Sequence, residues 1–416
     1  MAQLSNDCFA FGGALMSVDQ AVALVSKRLT LAVGDETVPL TEADGRVLAK
    51  DVTAPIDLPP FDNSAVDGYA VRFSDLTSQG ETVLPVVGRV AAGESLSSSG
   101  SAAAVRIFTG APMPVGFDTV FMQEDVRLDD TGVILPPGLK RGANRRFAGE
   151  DLARGAIALS AGRRLTPEDI CLAAALGSSV LPVRRRLRIA VFSTGNEILP
   201  PGWTLTPAKL YDANRFMLQA LLKRLGCAVT DLGILPDERA VVTEALASAA
   251  HDHDLLVTSG GVSTGEEDHV KAAVEDAGSL TFWRLAIKPG RPVAMGVVKG
   301  TPFIGLPGNP VAVFVTFVHV ARPLIARLAG EMFKAPAAVA VRARFAYKKK
   351  EGRREYVRVS LIRAEDGIVE AQKHPREGAG VITSLAETDG LVELPETVTQ
   401  VEAGETVGFL PYDVLR

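Results

Sequence analysis

Residues 187–330 alternate apolar runs with helix-patterned stretches, and this alternation constrains the fold more than any other feature. In order they are LRIAVFSTGNEI, YDANRFMLQALLKRLG, CAVTDLGILPD, ERAVVTEALASAAHD and DLLVTSGGVSTGEED. Parallel strands cannot be joined by a tight turn and need a crossover, usually a helix. The pattern therefore predicts βαβ units around a parallel sheet. The run VAVFVTFVHVARPLIA (311–326) reads as a buried helix behind the last loop. His319, Arg322 and Pro323 interrupt it, and its first unbroken stretch is too short to span a bilayer. His319 reads as a satisfied core histidine.

The flanking regions have another texture. A chain of 416 residues leaves room for further domains. Residues 17–29 read as a helix, with Ser17 and Gln20 as a capping box and Ala21, Val22, Val25 and Leu29 on one face. From about residue 50, short strand-like runs alternate with Pro, Gly and Ser clusters, the signature of a β-rich region. TPEDICLAAALG (166–177) reads as a helix with Thr166 as N-cap, Pro167 at its first position and Gly177 past its end. Residues 335–416 are again β-like, and AYKKKEGRREYVRVSL (346–361) reads as a hairpin turning at Glu351 and Gly352.

Lys and Arg number 44 against 49 Asp and Glu, a net charge of -5. That balance gives no electrostatic footprint for nucleic acid. Three distant cysteines, Cys8, Cys171 and Cys227, form neither a disulfide framework nor a Cys-rich zinc site and suit a reducing compartment. The N-terminus lacks the basic region and apolar core of a secretory signal. A cytoplasmic protein without membrane or nucleic-acid partners is expected.

In an open α/β sheet, ligands bind beyond the carboxyl ends of the strands. Four loops are expected there: STGNE (193–197), PD (236–237), SGGVSTGEED (259–268) and GLPGNP (305–310). Glycine permits close backbone approach, and free N–H groups at helix starts bind anions. A phosphate-bearing ligand is therefore expected, with neither a P-loop nor a GxGxxG fingerprint present. The same loops carry Glu197, Asp237 and Asp268, with Glu266 and Glu267 nearby. Carboxylates beside phosphate call for a cation, and Mg²⁺ needs only one or two of them plus phosphate oxygens and water. The bland alternative for Asp237 and Asp268 is helix capping. In WRLAIKPGRP (283–292), Arg284, Lys288 and Arg291 flank a Pro-Gly turn and suit oxyanions.

A second constellation stands apart from these loops. FDNSAVDGYA (61–70) crowds Asp62, Asn63, Ser64 and Asp67 among apolar residues, more than one Asx-turn explains. RIFTGAPMP (106–114) and RRFAGED (145–151) follow. With STGNE, SGGVSTGEED, AIKPGRP and GLPGNP, these seven ordered motifs resemble the molybdopterin molybdenumtransferase family, the MoeA group that includes the E domain of gephyrin. The resemblance runs from about residue 17 to 412.

The resemblance implies four domains: a discontinuous extended helical domain (1–53 and 152–186), a β-rich domain (54–151), a MogA-like α/β molybdopterin-binding domain (187–334) and a C-terminal β-barrel (335–416). It implies a homodimer whose cleft joins the α/β domain of one subunit to the β-rich domain of the other. Cleft positions carried over by motif are Asp62, Thr109, Asp151, Glu197, Asp237 and Asp268, with Glu197, Asp237 and Asp268 as Mg²⁺ ligands. Substrate contacts fall on Ser193, Thr194, Gly195, Ser259, Gly260, Gly261, Ser263, Arg284, Lys288, Arg291, Pro307, Gly308, Asn309 and Pro310. Asn196 and Arg284 depart from the usual Asp and Lys. The implied reaction is molybdenum insertion from molybdate into adenylylated molybdopterin with release of AMP, and a molybdopterin adenylyltransferase is the implied partner enzyme. Adenylyl transfer to molybdopterin and a gephyrin-like scaffold are the competing readings. The extra domains argue against the first, and the lack of a long linker or second fused enzyme domain against the second.

Overall fold

The computed structural model describes residues 15–94, 102–261 and 269–415. At its centre is a six-stranded sheet built from β1 (Arg188–Thr194), β2 (Ala228–Leu235), β3 (Leu255–Ser259), β4 (Gly278–Arg284), β5 (Pro292–Val298) and β6 (Thr301–Leu306). The spatial order is β2-β1-β3-β6-β5-β4. The first four strands in that order are parallel neighbours, as the alternation predicts. The last two are not: β5 pairs antiparallel with both β6 and β4. The connections there are too short for a crossover, since Lys299 and Gly300 alone separate β5 from β6.

Strand residues alternate between two cores, because successive side chains point to opposite faces. Ile189, Val191, Val257 and Ile304 pack on one side with helix α1 (Asn214–Arg224) and the run Pro310–Leu328. Ala190, Phe192, Leu256 and Phe303 pack on the other with α2 (Arg239–Asp252) and α3 (His269–Ala277). The apolar run 310–328 is one continuous helix with a π turn over Phe317–Ala321. It passes through all three expected interruptions and is long and apolar enough to span a membrane, yet 83% of its most apolar window is buried in the protein. Arg322 donates to the Val414 carbonyl. His319 stacks on Tyr356 with ring centroids 4.1 Å apart. Its Nε2 has no hydrogen-bond partner among the described residues, so this core histidine is not satisfied. Burial pulls its pKa down to about 3 and keeps it neutral.

Helix Val18–Arg28 begins with the expected reciprocal bonds between Ser17 and Gln20. It buries Val18 and Ala21 in the first of these two cores, so the start of the chain packs on the α/β unit. Helix Pro167–Ala175 is likewise capped by Thr166, and Gly177 follows its end at φ +82°. Residues 54–151 form a four-stranded and a three-stranded sheet.

Near the C-terminus a five-stranded barrel closes: 354–363, 369–373, 339–343, 406–411, 390–394 and back to 354–363. The expected hairpin at 346–361 is corrected. The chain turns at Glu351 and Gly352, but Tyr347–Lys348 pairs with Gln400–Val401, not with the strand that follows the turn. That strand is instead taken by other partners: Ile287–Lys288 at Arg354–Glu355, 390–394 at Glu355–Val359 and 369–373 at Val359–Arg363. The short strand Ile287–Lys288 runs parallel to Arg354–Glu355 and joins the α/β unit to the barrel.

Candidate functional site

Two adjoining cavities open where the α/β unit meets the barrel, and Gly308 and Asn309 line both. The first, of about 450 Å³, lies at the carboxyl ends of the parallel strands. Ser193, Thr194, Glu197, Ser259, Gly260, Gly308, Asn309 and Pro310 line it, so three of the four expected loops converge. Gly195 adopts φ +141°, and a Cβ there would meet the Glu197 carboxylate at 2.5 Å. Gly261, at φ +63°, leaves no room for a Cβ against Thr194 and Val270. Both glycines let these loops fold tightly at the carboxyl ends of β1 and β3.

The loops are held by a residue that sequence reasoning missed. Asn214, in the first turn of α1, donates through Nδ2 to Ser259 Oγ at 2.9 Å and to the Gly308 carbonyl at 2.7 Å. Ser259 Oγ donates in turn to the Pro307 carbonyl at 3.1 Å. Asn214 Oδ1 and Ser193 Oγ are buried and have no partner among the described residues. Two orphaned polar atoms on one cavity mark it as built for a hydrogen-bonding ligand. Asp212 also lines it, but Arg215 holds that carboxylate at 2.7 Å. The signal for Asn214 was present as the polar string YDAN at a helix start beyond a strand.

The second cavity, of about 560 Å³, is lined by Lys288, Gly290, Arg291, Pro307, Gly308 and Asn309 together with Arg353, Arg358, Lys373, His374 and Arg376 of the barrel. Sequence reasoning found Lys288 and Arg291 but not the barrel cations, which no motif joins to them. Arg358 is buried, and its hydrogen bonds go to neutral oxygens: Ser384 Oγ and the carbonyls of Arg376 and Gly378. Burial lowers its pKa from the usual arginine value. A buried guanidinium among neutral acceptors suits an incoming oxyanion. Lys288 Nζ reaches Tyr347 Oη and Glu355 Oε2, each at 3.1 Å. Burial opposes its charge, but these two groups raise its pKa above the ordinary lysine value.

Arg284 lies outside both cavities: it is the last residue of β4, ahead of the short strand that carries Lys288. Asp237 also lines neither, and the residue at the N-cap of α2 is Glu238. Ser263 and Asp268 lie outside the described residues. No group of three His, Cys, Asp or Glu suited to a metal occurs among the described residues. Glu197 is the exposed carboxylate on the first cavity, which fits Mg²⁺ only with substrate phosphates and water completing its shell.

The motifs around Asp62 come together elsewhere. Asn63–Ser64 pairs with Arg145–Arg146. Asp62 ion-pairs with Arg145 and accepts from the Ala148 amide at 2.8 Å. Partial burial pushes its carboxyl up, but those two donors outweigh this and hold its pKa below the usual value. Asp67 accepts from the Thr109 amide and hydroxyl at 2.8 and 2.7 Å, which lowers its pKa. Asp151 is exposed, its amide bonded to the Leu58 carbonyl. Thus Asp62, Thr109 and Asp151 belong to one cluster of loops. No residue of 54–151 lines either cavity described above.

A parallel α/β unit with a cavity at its strand ends, joined to a C-terminal barrel across a second, cation-lined cavity and accompanied by a separate β-rich domain, defines a multidomain α/β and β protein. Three family models match in chain order: MoeA N-terminal region (domain I and II) over residues 16–177, probable molybdopterin binding domain over 190–327, and MoeA C-terminal region (domain IV) over 340–412. The molybdopterin molybdenumtransferase of Haemophilus influenzae is 40% identical over 404 residues, covering 96% of this chain and 100% of that protein. Molybdopterin molybdenumtransferase 2 of Mycobacterium tuberculosis is 37% identical, with 88% and 93% covered. The crystal structure of a molybdopterin biosynthesis MoeA protein from Pyrococcus horikoshii superposes with a TM-score of 0.81 at 28% identity, covering 96% of this chain and 100% of that one. The chain belongs to the molybdopterin molybdenumtransferase (MoeA) family, and is a transferase of molybdenum cofactor biosynthesis.

Proposed function

We propose that this transferase inserts molybdenum from molybdate into adenylylated molybdopterin with magnesium-dependent release of AMP, and that it works as a homodimer. The observation that carries the reading is the pair of cavities sharing Gly308 and Asn309, one with orphaned hydrogen-bonding groups and one lined by cations. The reaction must bring two anions together, and their repulsion has to be cancelled locally. Lys288, Arg291 and Arg358 supply fixed positive charge for molybdate in the barrel-side cavity. Ser193, Asn214 and the loop amides of 194–195, 260–261 and 308–310 offer hydrogen bonds to the nucleotide and pterin end. Glu197 would hold the magnesium ion, which supplies positive charge against the diphosphate when bound.

No residue of the Asp62 cluster lines either cavity, and large apolar residues stand exposed on both sides: Phe61 and Phe147 beside Asp62 and its donor Ala148, Leu210 and Tyr211 on the first cavity with Glu197. Exposed apolar groups around half-sites favour burial against a second copy, which would bring Asp62 to the first cavity. The assay that tests the reaction supplies adenylylated molybdopterin and molybdate and follows AMP, in parallel with ATP and free molybdopterin. AMP release that needs molybdate supports insertion. Turnover only with ATP and free molybdopterin would instead identify an adenylyltransferase.

A further inference from the structure

We propose that Glu355 is a positioning residue for oxyanion uptake: with Tyr347 it holds the Lys288 ammonium at the wall of the barrel-side cavity. Lys288 and Glu355 are register partners in the parallel pairing that joins the α/β unit to the barrel. The lysine side chain is 49% exposed and the glutamate 2%. A lysine on a four-carbon stem in that position samples many rotamers unless something fixes it. Glu355 Oε2 does so from below, accepting from Lys288 Nζ at 3.1 Å and from Tyr347 Oη at 2.9 Å. Tyr347 Oη also accepts from Lys288 Nζ, closing a three-membered ring of polar contacts. The Tyr347 ring adds a face for the cation, with Lys288 Nζ 5.6 Å from its centroid and Lys373 Nζ 5.5 Å.

The carboxylate is placed at a cost. Glu355 Oε1 is buried without a hydrogen bond among the described residues, and Arg353 stands 3.5 Å away as its other ion-pair partner. Burying a charge so incompletely paired is a poor device for stability. It is a good one for orienting an ammonium that must also face a ligand. A negative group beside an anion site would by simple electrostatics weaken oxyanion binding. Positioning and charge therefore predict opposite signs when Glu355 is neutralised.

Resting on the reading that molybdate occupies this cavity, the test uses the full-length protein and molybdate alone in calorimetry, then AMP release under saturating adenylylated molybdopterin. Glu355→Gln keeps the shape and loses the charge. The expected result is a rise of about tenfold in the molybdate dissociation constant and KM, with kcat and the KM for the nucleotide substrate little changed. Tyr347→Phe, which removes one of the two tethers, should give a smaller rise in the same parameters. In a Lys288→Ala background, Glu355→Gln should add nothing, because it acts through the lysine. Unchanged or tighter molybdate binding by Glu355→Gln, or losses that add in the double variant, would overturn the assignment. Wild-type protein that takes up no molybdate would instead remove the reading of the cavity, and the inference with it.

Discussion

Asn214 donates to Ser259 Oγ at 2.9 Å and so ties the first turn of α1 to the end of β3, 45 residues further along the chain. The same amide reaches the Gly308 carbonyl, so one side chain fixes two of the loops that line the first cavity. Asn214→Ala should leave the fold intact and weaken binding of the nucleotide substrate by about tenfold, the worth of one hydrogen bond to a charged or polar ligand plus loop order. Steady-state KM for adenylylated molybdopterin, with molybdate KM as the internal control, checks this.

The proposed magnesium site rests on Glu197. Its carboxylate folds back over Gly195 at the rim of the cavity, where a diphosphate would lie. Glu197→Ala should retain secondary structure and dimerisation but lower magnesium-dependent AMP release by about a hundredfold. A magnesium titration of AMP release measures it, and turnover equal to wild type would refute the assignment.

Stability should respond to acid through Asp254. It accepts from the Arg188 amide at 2.8 Å and pairs with the Arg185 and Arg188 side chains, each at 3.1 Å. Burial pushes this carboxyl up, but the three donors outweigh it and hold the folded-state pKa below the usual value. The stabilisation is therefore fully present above the unfolded value of about 4 and is lost as pH falls through the lower folded value. Asp254→Asn should cost about 2 kcal/mol at neutral pH and flatten the acid limb of a melting-temperature profile taken from pH 3 to 7.

The α/β unit was legible in the sequence because periodicity reports local burial. Alternating helices and strands predicted the four parallel strands, and Ser17, Thr166, Pro167 and Gly177 marked helix ends correctly. The antiparallel edge β4–β5 was not, since apolar runs carry no sign of strand direction. The hairpin at 346–361 failed because pairing partners are chosen by barrel closure, which lies outside any local window. Within the site, residues on glycine loops stood out by composition. Arg353, Arg358, Lys373 and Arg376 did not, because they become neighbours of Lys288 only through tertiary packing. Arg284 and Asp237 show the converse: proximity in sequence to a cavity residue or loop did not bring them to its lining.

The separation of the Asp62 cluster from both cavities bears on the central claim, that one reaction site is assembled from two chains. Co-expression of two differently tagged variants, Asp62→Asn and Glu197→Ala, tests it most directly. Each alone should be inactive in molybdate-dependent AMP release. In purified mixed dimers, half of the sites would hold both wild-type residues, so activity should return to about half that of wild type. Mixed dimers as inactive as either parent would contradict a shared site.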